Sequence, residues 1–404
     1  MKNFSFSVPQ DIIVGAGSIK KLGECATKLG GTHALIISGP HLNKMGLVDT
    51  CKQSLADVGI PADAFTETEG NPSVETVEKA TKLYKECGAD FIVAFGGGSP
   101  MDVAKAVGVI AKYGGSITEY EGGGKVPGPI VPQIAIPTTA GTGSEVTPFA
   151  VITDEKTGTK YPLADYQLMP NMAIVDTDMM MSAPRGLTSA SGIDALTHAL
   201  EAYASVMATD YTDGLALRAM KLIFKYLPGA YDNGQTDVKA REEMATASTM
   251  AGMAFANAFL GVCHSMAHKL GAYHHLPHGI ANALLITMVM RYNADPTPRK
   301  MGTFSQYQYP HTLERYCECA HSLGIVGKND EDTLNKFIDA IEALKERVGI
   351  KKTIADYGVD EKHFLDTLDN MVEDAFDDQC TGANPRYPLM SELKEMYLKA
   401  YYGK

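Results

Sequence analysis

The sequence changes its pattern near Pro184, and this change restricts the fold more than any other feature. Before Pro184, short β-rich runs alternate with helical segments, which is typical of a parallel sheet with crossover helices. After it, strand-like runs disappear, and long Ala-, Leu- and Met-rich segments such as 241–260 and 332–348 follow. The pattern predicts two domains in a chain of 404 residues, an α/β domain over 1–183 and an all-helical domain over 184–404.

Apolar runs in the first half have the length of buried strands. They lie at 33–38, 90–95, 133–137 and 173–176. Residues 42–58 and 73–87 carry apolar positions three and four apart, which predicts one helix over each range. Residues 151–163 contain DEKTG, a turn signal between two short runs, and therefore favour an antiparallel hairpin.

Charge and cysteine content restrict the partners and the location of the chain. It has 36 Lys and Arg against 48 Asp and Glu, a formal net charge of −12, and so acidic a surface repels nucleic-acid phosphates. The 7 cysteines are scattered and odd in number, which favours a reducing, cytoplasmic location over a disulfide framework. We expect no signal peptide and no membrane segment, since the longest apolar run, 280–290, is shorter than the roughly 20 residues that cross a bilayer.

Two loops rich in glycine and hydroxyl side chains follow predicted strands. GGGSPMD at 96–102 lies between a strand and a helix, an order that brings backbone N–H groups and a helix N terminus against an anion. PTTAGTGSE at 137–145 has hydroxyls that can bind a pyrophosphate or a ribose. A ligand-free turn and a helix-capping segment are the alternatives. Neutral N–H groups and hydroxyls would let even this acidic chain bind a dinucleotide.

Histidines and one aspartate cluster in the second half. Asp194 and His198 stand four residues apart in DALTH, within a predicted helix, and therefore share one face. His264 and His268 repeat this spacing in GVCHSMAHKLGAYHHLPHG, and His278 follows at an expected helix break. A carboxylate and several imidazoles suit a borderline divalent ion such as Fe(II) or Zn(II).

Adjacent His274 and His275 point in different directions, so we expect at most one of them in the metal site. Surface neighbours and hydrogen-bonded core histidines are the alternative interpretation of the cluster.

With GGGSPMD, PTTAGTGSE, DALTH and GVCHSMAHKLGAYHHLPHG in this order, the chain resembles the iron-containing (group III) alcohol dehydrogenases from end to end. NP at 71–72 and CTGANPR at 380–386 are further matches. The resemblance implies an N-terminal α/β dinucleotide-binding domain with a parallel sheet, followed by an all-α metal-binding domain, the dehydroquinate synthase-like fold. It also implies Fe(II), with Zn(II) as the alternative, NAD or NADP as cofactor, and a homodimer or larger homo-oligomer.

The resemblance also implies roles for individual residues. The metal ligands would be Asp194, His198, His264 and His278. His268 would lie near the nicotinamide and the alcohol, where an imidazole can relay a proton. The residues that line the cofactor cleft would be Gly97, Gly98, Ser99, Asp102, Thr138, Thr139, Thr142 and Lys160. The residues around the substrate would be Phe149, Phe255 and Cys380. Ordinary core packing explains these last three equally well.

The sequence departs from the family pattern after the run at 33–38. Many members carry an Asp where this chain has Gly39, and that carboxylate binds the adenosine ribose and repels a 2′-phosphate. Gly39 removes the repulsion, which favours NADP(H) over NAD(H). The alternative is that Gly39 serves a tight turn before Pro40 and that another group discriminates.

The function implied by the resemblance is interconversion of short primary alcohols, or diols, with aldehydes by hydride transfer at nicotinamide C4. The partner would be a small alcohol or aldehyde. A polyol oxidoreductase similar to glycerol dehydrogenase, or a dehydroquinate synthase, is an alternative that requires a more polar pocket than Phe149 and Phe255 provide. A metallohydrolase that activates water at the Asp/His site and a non-enzymatic dinucleotide sensor are the others.

Overall fold

The computed structural model describes residues 3–154, 159–295 and 311–403, without the side chains of residues 159 and 160. The chain divides into two compact units, Met1–Ala183 and Pro184–Lys404. Within the described residues, all strands belong to the first unit, and the regular structure of the second unit is helical.

The first unit is built on nine strands and five α-helices among the residues described. The strands are β1 Asp11–Val14, β2 Ala34–Ile37, β3 Ala62–Phe65, β4 Phe91–Gly96, β5 Gly122–Gly123, β6 Gln133–Pro137, β7 Phe149–Asp154, β8 Thr159–Ala164 and β9 Met172–Val175. The helices are α1 Leu22–Leu29, α2 Pro40–Lys44, α3 Leu47–Ala56, α4 Val74–Cys87 and α5 Gly98–Tyr113. Six strands form a parallel sheet in the order β1-β9-β6-β4-β2-β3.

The parallel sheet is buried on both faces. Leu35 and Ile37 of β2 belong to an apolar cluster that includes residues of α4 and α5. Ala34 and Ile36 belong to a second cluster, which includes residues of α1 and α3. Alternate residues of a strand point to opposite faces, so the crossover helices cover both sides of the central strands.

The structure differs from the sequence predictions at the sheet edges and in one helix. It adds β1 and β3, which the apolar runs did not predict, and these are the two edge strands. An edge strand needs less apolar burial, and Asp63 of β3 is exposed. The single helix predicted over 42–58 is wrong: α2 and α3 are separate because Gly46, between them, has a left-handed φ of 75°.

The predicted hairpin consists of β7 and β8, which are antiparallel with Val151 opposite Pro162. Residues 155–158 of its DEKTG turn lie outside the described residues. The short strand β5 pairs with β8 and completes a three-stranded sheet.

The second unit contains the helices that carry the Asp/His cluster. They are α6 Arg185–Ala204, α7 Asp210–Asn233, α8 Val238–Ala258, α9 Val262–His274, α10 His278–Ala294, α11 Thr312–Ser322, α12 Asp330–Arg347, α13 Glu361–Phe376 and α14 Met390–Tyr402. Helix α10 packs against α6 and α9 and is buried over most of its length. No single described helix is long and apolar enough to span a membrane; α8 and α9 pass that test only together, and the chain bends by 107° between them.

Candidate functional site

Two neighbouring turns of α6 present the first half of the Asp/His cluster. Asp194 and His198 lie one turn apart and are both buried. Gly279 at the start of α10 permits close approach of the two helices, because a Cβ there would lie 2.2 Å from the carbonyl oxygen of Ala190. The carboxylate and the imidazole therefore face the beginning of α10.

The other two imidazoles lie at the start of α9 and at the start of α10, which a short connection joins. His275 ends α9 with a left-handed φ of 56°, and His278 is the first residue of α10. The Nε2 atoms of His264 and His278 lie 4.0 and 3.6 Å from Oδ1 of Asp194. The three residues come from three different helices.

The four side chains Asp194, His198, His264 and His278 fit a single divalent ion. One ligand atom of each lies within 4.8 Å of those of the others. Two atoms bound to one ion at about 2.1 Å can be at most about 4.2 Å apart, so the 4.0 and 3.6 Å separations suit a common ion. A carboxylate with three imidazoles is a donor set for Fe(II) or Zn(II). Three of the four are buried, and His278 is 42% exposed, so the cluster opens to the outside at His278.

Asn282, one turn after His278 in α10, contacts three of the clustered side chains. Its Nδ2 lies 2.8 Å from Oδ1 of Asp194, 3.0 Å from Nε2 of His264 and 3.3 Å from Nε2 of His278. A single amide group thus reaches a carboxylate oxygen and two ring nitrogens at once. The three atoms therefore surround one small volume, as a metal site requires.

Glu201 orients His264 from the last turn of α6. Its carboxylate hydrogen-bonds Nδ1 of His264 and accepts the N–H of Cys263 at 2.7 Å. Burial raises the pKa of Glu201 to about 8, although the backbone N–H groups around it counteract the rise. Burial and the neighbouring imidazoles hold the pKa of His264 well below its usual range. The lowered pKa favours a neutral ring, and with Nδ1 held by Glu201 it is Nε2 that faces Asp194 in the cluster.

His268 lies beside the four clustered side chains and has a carboxylate partner of its own. Its Nδ1 is 3.0 Å from Oδ2 of Asp378, and its ring stacks on that of His278 with the centroids 5.5 Å apart. Asp378 also accepts a hydrogen bond from Lys269 at 2.9 Å. Burial by itself would raise the pKa of Asp378, but the charges of His268 and Lys269 outweigh it and hold that pKa below its usual range.

The predicted substrate residues are divided between the two units. Phe255 is buried and stacks on His198 with ring centroids 4.3 Å apart. Cys380 is buried next to Asp378, and burial raises the pKa of its thiol well above the usual range. Phe149 begins β7 in the first unit, where its carbonyl accepts a hydrogen bond from Lys105.

Neither of the adjacent histidines belongs to the metal cluster. Nε2 of His274 lies 3.2 Å from Oγ1 of Thr367 in α13, and its ring packs against that of His363. His275 is exposed and ends the helix.

In the first unit, the two glycine- and hydroxyl-rich loops lie side by side. Helix α5 begins at Gly98, and Gly97 before it provides no side-chain cap. Thr138 donates its N–H to the carbonyl of Gly96 at 2.9 Å. A Cβ at Gly97 would lie 3.5 Å from the Thr139 side chain, and one at Gly98 would lie 3.2 Å from that of Thr142. An uncapped N terminus of a 16-residue helix beside several hydroxyls is a suitable phosphate site.

Two side chains of the first loop have partners within the unit. Ser99 Oγ donates to the carbonyl of Gly70 at 2.9 Å. Asp102 accepts the N–H of Val151 at 3.1 Å, and burial raises its pKa while the nearby Lys105 counteracts the rise. Conversely, burial lowers the pKa of Lys105 and Asp102 counteracts that change. Ser99 and Asp102 thus use their side chains to tie the loop to neighbouring segments.

Models of one protein family match both units. The model described as "Iron-containing alcohol dehydrogenase" matches residues 9–177, and that of "Fe-containing alcohol dehydrogenase family, C-terminal" matches 188–401. The chain belongs to the iron-containing alcohol dehydrogenase family.

Several named relatives match almost the whole chain. It is 47% identical to the bifunctional aldehyde-alcohol dehydrogenase AdhE of Escherichia coli K12, over 98% of this chain but 46% of AdhE. Thus it spans about half the length of the first of these relatives. Identity to the NADPH-dependent butanol dehydrogenase of Clostridium saccharobutylicum is 38%, over 98% of both chains. Identity to the NAD-dependent methanol dehydrogenase of Bacillus methanolicus is 36%, over 98% of this chain and 99% of that protein.

A solved structure of 1,3-propanediol oxidoreductase has the same fold. It superposes with a TM-score of 0.91 at 36% identity, covering 99% of this chain and 100% of that chain. The α/β unit followed by a helical unit, which the sequence predicted, is therefore the fold of the iron-containing alcohol dehydrogenases.

Gly39, the residue directly before α2, has an unstrained backbone. Its φ is −99°, which any residue can adopt, and a Cβ there would lie 3.4 Å from the carbonyl oxygen of Thr68. A tight turn therefore does not require glycine at this position. Nearby, the buried hydroxyls of Ser38 and Thr68 have no hydrogen-bond partner within the described part of the chain. The side chain of Lys160 lies outside the described residues.

Sequence reasoning missed four polar residues around these sites. Glu201 and Asn282 each had a signal, because they lie one turn from His198 and His278 on the same helices. Lys105 also had a signal in the sequence, because it is a lysine within the apolar segment that forms α5. Asp378 had none, since it is 110 positions from its partner His268.

Proposed function

We propose that this chain is a metal-dependent, NAD(P)-linked alcohol dehydrogenase that interconverts short primary alcohols, or diols, with aldehydes. The observation that carries the proposal is the convergence of one carboxylate and three imidazoles, Asp194, His198, His264 and His278, on one small volume. Relatives named as butanol, methanol and aldehyde-alcohol dehydrogenases support the substrate class.

The proposed ion is Fe(II). Four protein ligands fill a tetrahedral Zn(II) site, and substrate would then require a fifth position. Fe(II) accepts six ligands and retains room for an alcohol oxygen beside four protein groups. The exposure of His278 supports access from that side.

The reaction needs a group that polarises the alcohol oxygen and a carrier for hydride. A divalent ion supplies the first as a Lewis acid, and a nicotinamide dinucleotide supplies the second. The carboxyl groups of the chain orient the imidazole rings. Glu201 forms a hydrogen bond with Nδ1 of His264, and Asp378 forms one with Nδ1 of His268. Nε2 of His268 is then the atom that exchanges a proton with the substrate hydroxyl.

We propose Phe255 and Cys380 as residues of the substrate pocket; Phe149, the third residue implied by the resemblance, belongs to the first unit. The stacking of Phe255 on His198 supports an apolar wall beside the metal ligands. An apolar wall suits a short alkyl chain better than a polyol.

The proposed cofactor site consists of Gly39, the first loop with Gly97, Gly98, Ser99 and Asp102, the second loop with Thr138, Thr139 and Thr142, and Lys160. We propose a preference for NADP(H), because Gly39 presents no carboxylate to repel a 2′-phosphate. The two buried hydroxyls of Ser38 and Thr68 support a polar ligand at this end of β2. Relatives with names that specify NADPH and NAD occur at similar identity, so the preference has to be measured on this chain.

The proposed location is the cytoplasm and the proposed assembly a homodimer or larger homo-oligomer. All seven cysteines are free, which supports a reducing compartment. The assembly rests on the family resemblance, and sedimentation of the purified chain as a monomer would contradict it.

A turnover assay with a metal analysis tests the activity. The purified chain with Fe(II) should oxidise NADPH or NADH in the presence of short aldehydes, followed by the loss of reduced-nicotinamide absorbance. No turnover with either cofactor and any aldehyde would contradict the proposal. His278→Ala should empty the metal site, whereas His268→Ala should retain the metal and slow turnover by about 10²- to 10⁴-fold. If His268→Ala also loses the metal, His268 is a ligand rather than a proton relay.

The cofactor preference has its own test. The ratio of kcat/KM for NADPH to that for NADH should exceed one in the wild type and fall by at least about tenfold in Gly39→Asp, because the new carboxylate repels the 2′-phosphate. A wild type that is about a hundredfold more efficient with NADH would contradict the NADP(H) proposal while leaving the dehydrogenase proposal intact.

A further inference from the structure

Lys105 is a lysine of α5 with no exposed surface. Its Nζ lies 2.9 Å from both the carbonyl oxygen and Oγ of Ser144, 3.3 Å from Oγ1 of Thr147 and 2.7 Å from the carbonyl oxygen of Phe149. All four acceptors lie in the segment 144–149, which begins at Ser144 within the second loop. A buried ammonium is costly unless its N–H groups have partners, and here they are supplied by one short segment.

Asp102, three residues before Lys105 on α5, holds the same stretch of chain. Its carboxylate accepts the N–H of Val151 at 3.1 Å and the hydroxyl of Ser144 at 3.4 Å. The pair of opposite charges thus binds residues 144 to 151 to a helix that itself begins at Gly98 in the first loop. Helix α5 therefore links the two loops through side chains.

The two glycine- and hydroxyl-rich loops are in close contact, so the second loop has little room to move. A Cβ at Gly98 would already be 3.2 Å from the side chain of Thr142, so the second loop lies directly against the helix start. Displacements of about 1 Å in a binding site can cost about a hundredfold in function. Replacing a buried ion pair by apolar residues is often neutral or stabilising, so packing by itself does not call for a lysine here.

We infer that Lys105 is a positioning residue for dinucleotide binding, and that its ammonium fixes the 137–145 loop beside Gly97 and Gly98 by holding segment 144–149 against α5. The inference rests on the proposed dinucleotide cofactor. Lys105 lies in the first unit, and the proposed metal ligands lie in the second. Its loss weakens cofactor binding and leaves the metal content unchanged.

Lys105→Met in the full chain tests the inference, with Lys112→Met as the matched control because Lys112 is exposed on the same helix. The measurements are the Kd for NADPH and NADH by nucleotide fluorescence, amide hydrogen exchange over 138–151, and metal content. Lys105→Met should raise Kd and the cofactor KM by at least about tenfold, with kcat at saturating cofactor changed by less than about threefold. Exchange over 138–151 should accelerate, and Lys112→Met should resemble the wild type.

A purely structural role would lower the folded fraction and leave the Kd of the folded molecules unchanged. If the single variant does not fold, Thr147→Val removes one acceptor of the Lys105 ammonium and should still raise Kd and accelerate exchange. A folded variant at position 105 with a cofactor Kd within about twofold of wild type overturns the inference, as does unchanged exchange over 138–151. A wild type that binds no dinucleotide contradicts the proposed function instead, and the exchange rates then decide whether Lys105 holds the loop.

Discussion

Glu201 connects two helices at the proposed metal site although it belongs to none of the recognised motifs. From α6 it binds the ring of His264 and the N–H of Cys263, both of α9. A carboxylate on the far ring nitrogen of a metal-ligating histidine determines the tautomer and the direction of the ring. Single residues outside the ligand set thus determine whether the ligands are ready to bind an ion.

Replacement of Glu201 by Gln should weaken metal binding by about 10- to 100-fold, because the amide keeps the size of the side chain but has one oxygen where Glu201 uses two, one for the N–H of Cys263 and one for His264. The measurement is the fraction of Fe(II) or Zn(II) retained against increasing chelator. The control is Glu314→Gln, since the Glu314 side chain on α11 is exposed. Equal retention by the two variants would show that Glu201 does not support His264.

Among the secondary-structure elements, α9 has an N terminus that is capped by residues distant in the sequence. The helix begins after Gly261, which has no side chain to cap it. Instead, Glu201 accepts the N–H of Cys263, and Oδ1 of Asn384 accepts that of Val262 at 3.2 Å. Because α9 carries both His264 and His268, these two caps determine where the imidazoles lie.

Gly261→Ala should therefore destabilise the chain. A Cβ at this position would lie 2.6 Å from Oδ1 of Asn384 and 2.9 Å from Oε1 of Glu201, so both capping groups have to shift. The free energy of unfolding should fall by about 1 to 3 kcal/mol, as in other overpacked cores, and metal retention should fall with it.

Chemical denaturation of the apo and metal-loaded forms measures both effects. Gly186→Ala is the matched control, since a Cβ near the start of α6 meets no atom within 4 Å. It should leave stability unchanged or raise it by up to about 1 kcal/mol. A Gly261 variant as stable as this control would mean that the caps of α9 are adaptable.

Considering the whole molecule, the residues proposed for the metal ion and those proposed for the dinucleotide belong to different units. The four proposed metal ligands lie within 194–278 and the glycine loops within 96–145, on opposite sides of the division after Ala183. A ligand stabilises the folded state by mass action, by about 2.7 kcal/mol at a hundred times its Kd. Local effects should appear where each ligand binds.

Hydrogen exchange of amides that open locally should separate the two ligands. A divalent ion should slow exchange in α6, at the start of α9 and at the start of α10, and leave β4 and β6 unaffected. A dinucleotide should slow exchange at 96–99 and 137–142. His278→Ala should abolish the effect of the ion and not that of the dinucleotide. Protection by the ion of the sheet and the helices alike would contradict this division.

The amino-acid sequence alone was sufficient to predict the features that depend on residues close together in the chain. Alternating strands and helices up to Pro184, the glycines after β4, and the one-turn spacing of Asp194 and His198 all follow from periods of two and 3.6 residues. The break within 42–58 and the edge strands were missed, because a left-handed glycine and a half-exposed strand leave weak apolar patterns.

Packing alone determined which distant groups meet. Glu201 reaches His264 across 63 positions, Asp378 reaches His268 across 110, and Lys105 reaches Ser144 across 39. No local period relates these positions, and each contact exists because two helices, or a helix and a loop, bury their polar groups against one another. The sequence thus identified the residue types that suit a metal and a dinucleotide, and the tertiary structure decided their partners, since a buried polar group must find its hydrogen bond wherever the fold brings one.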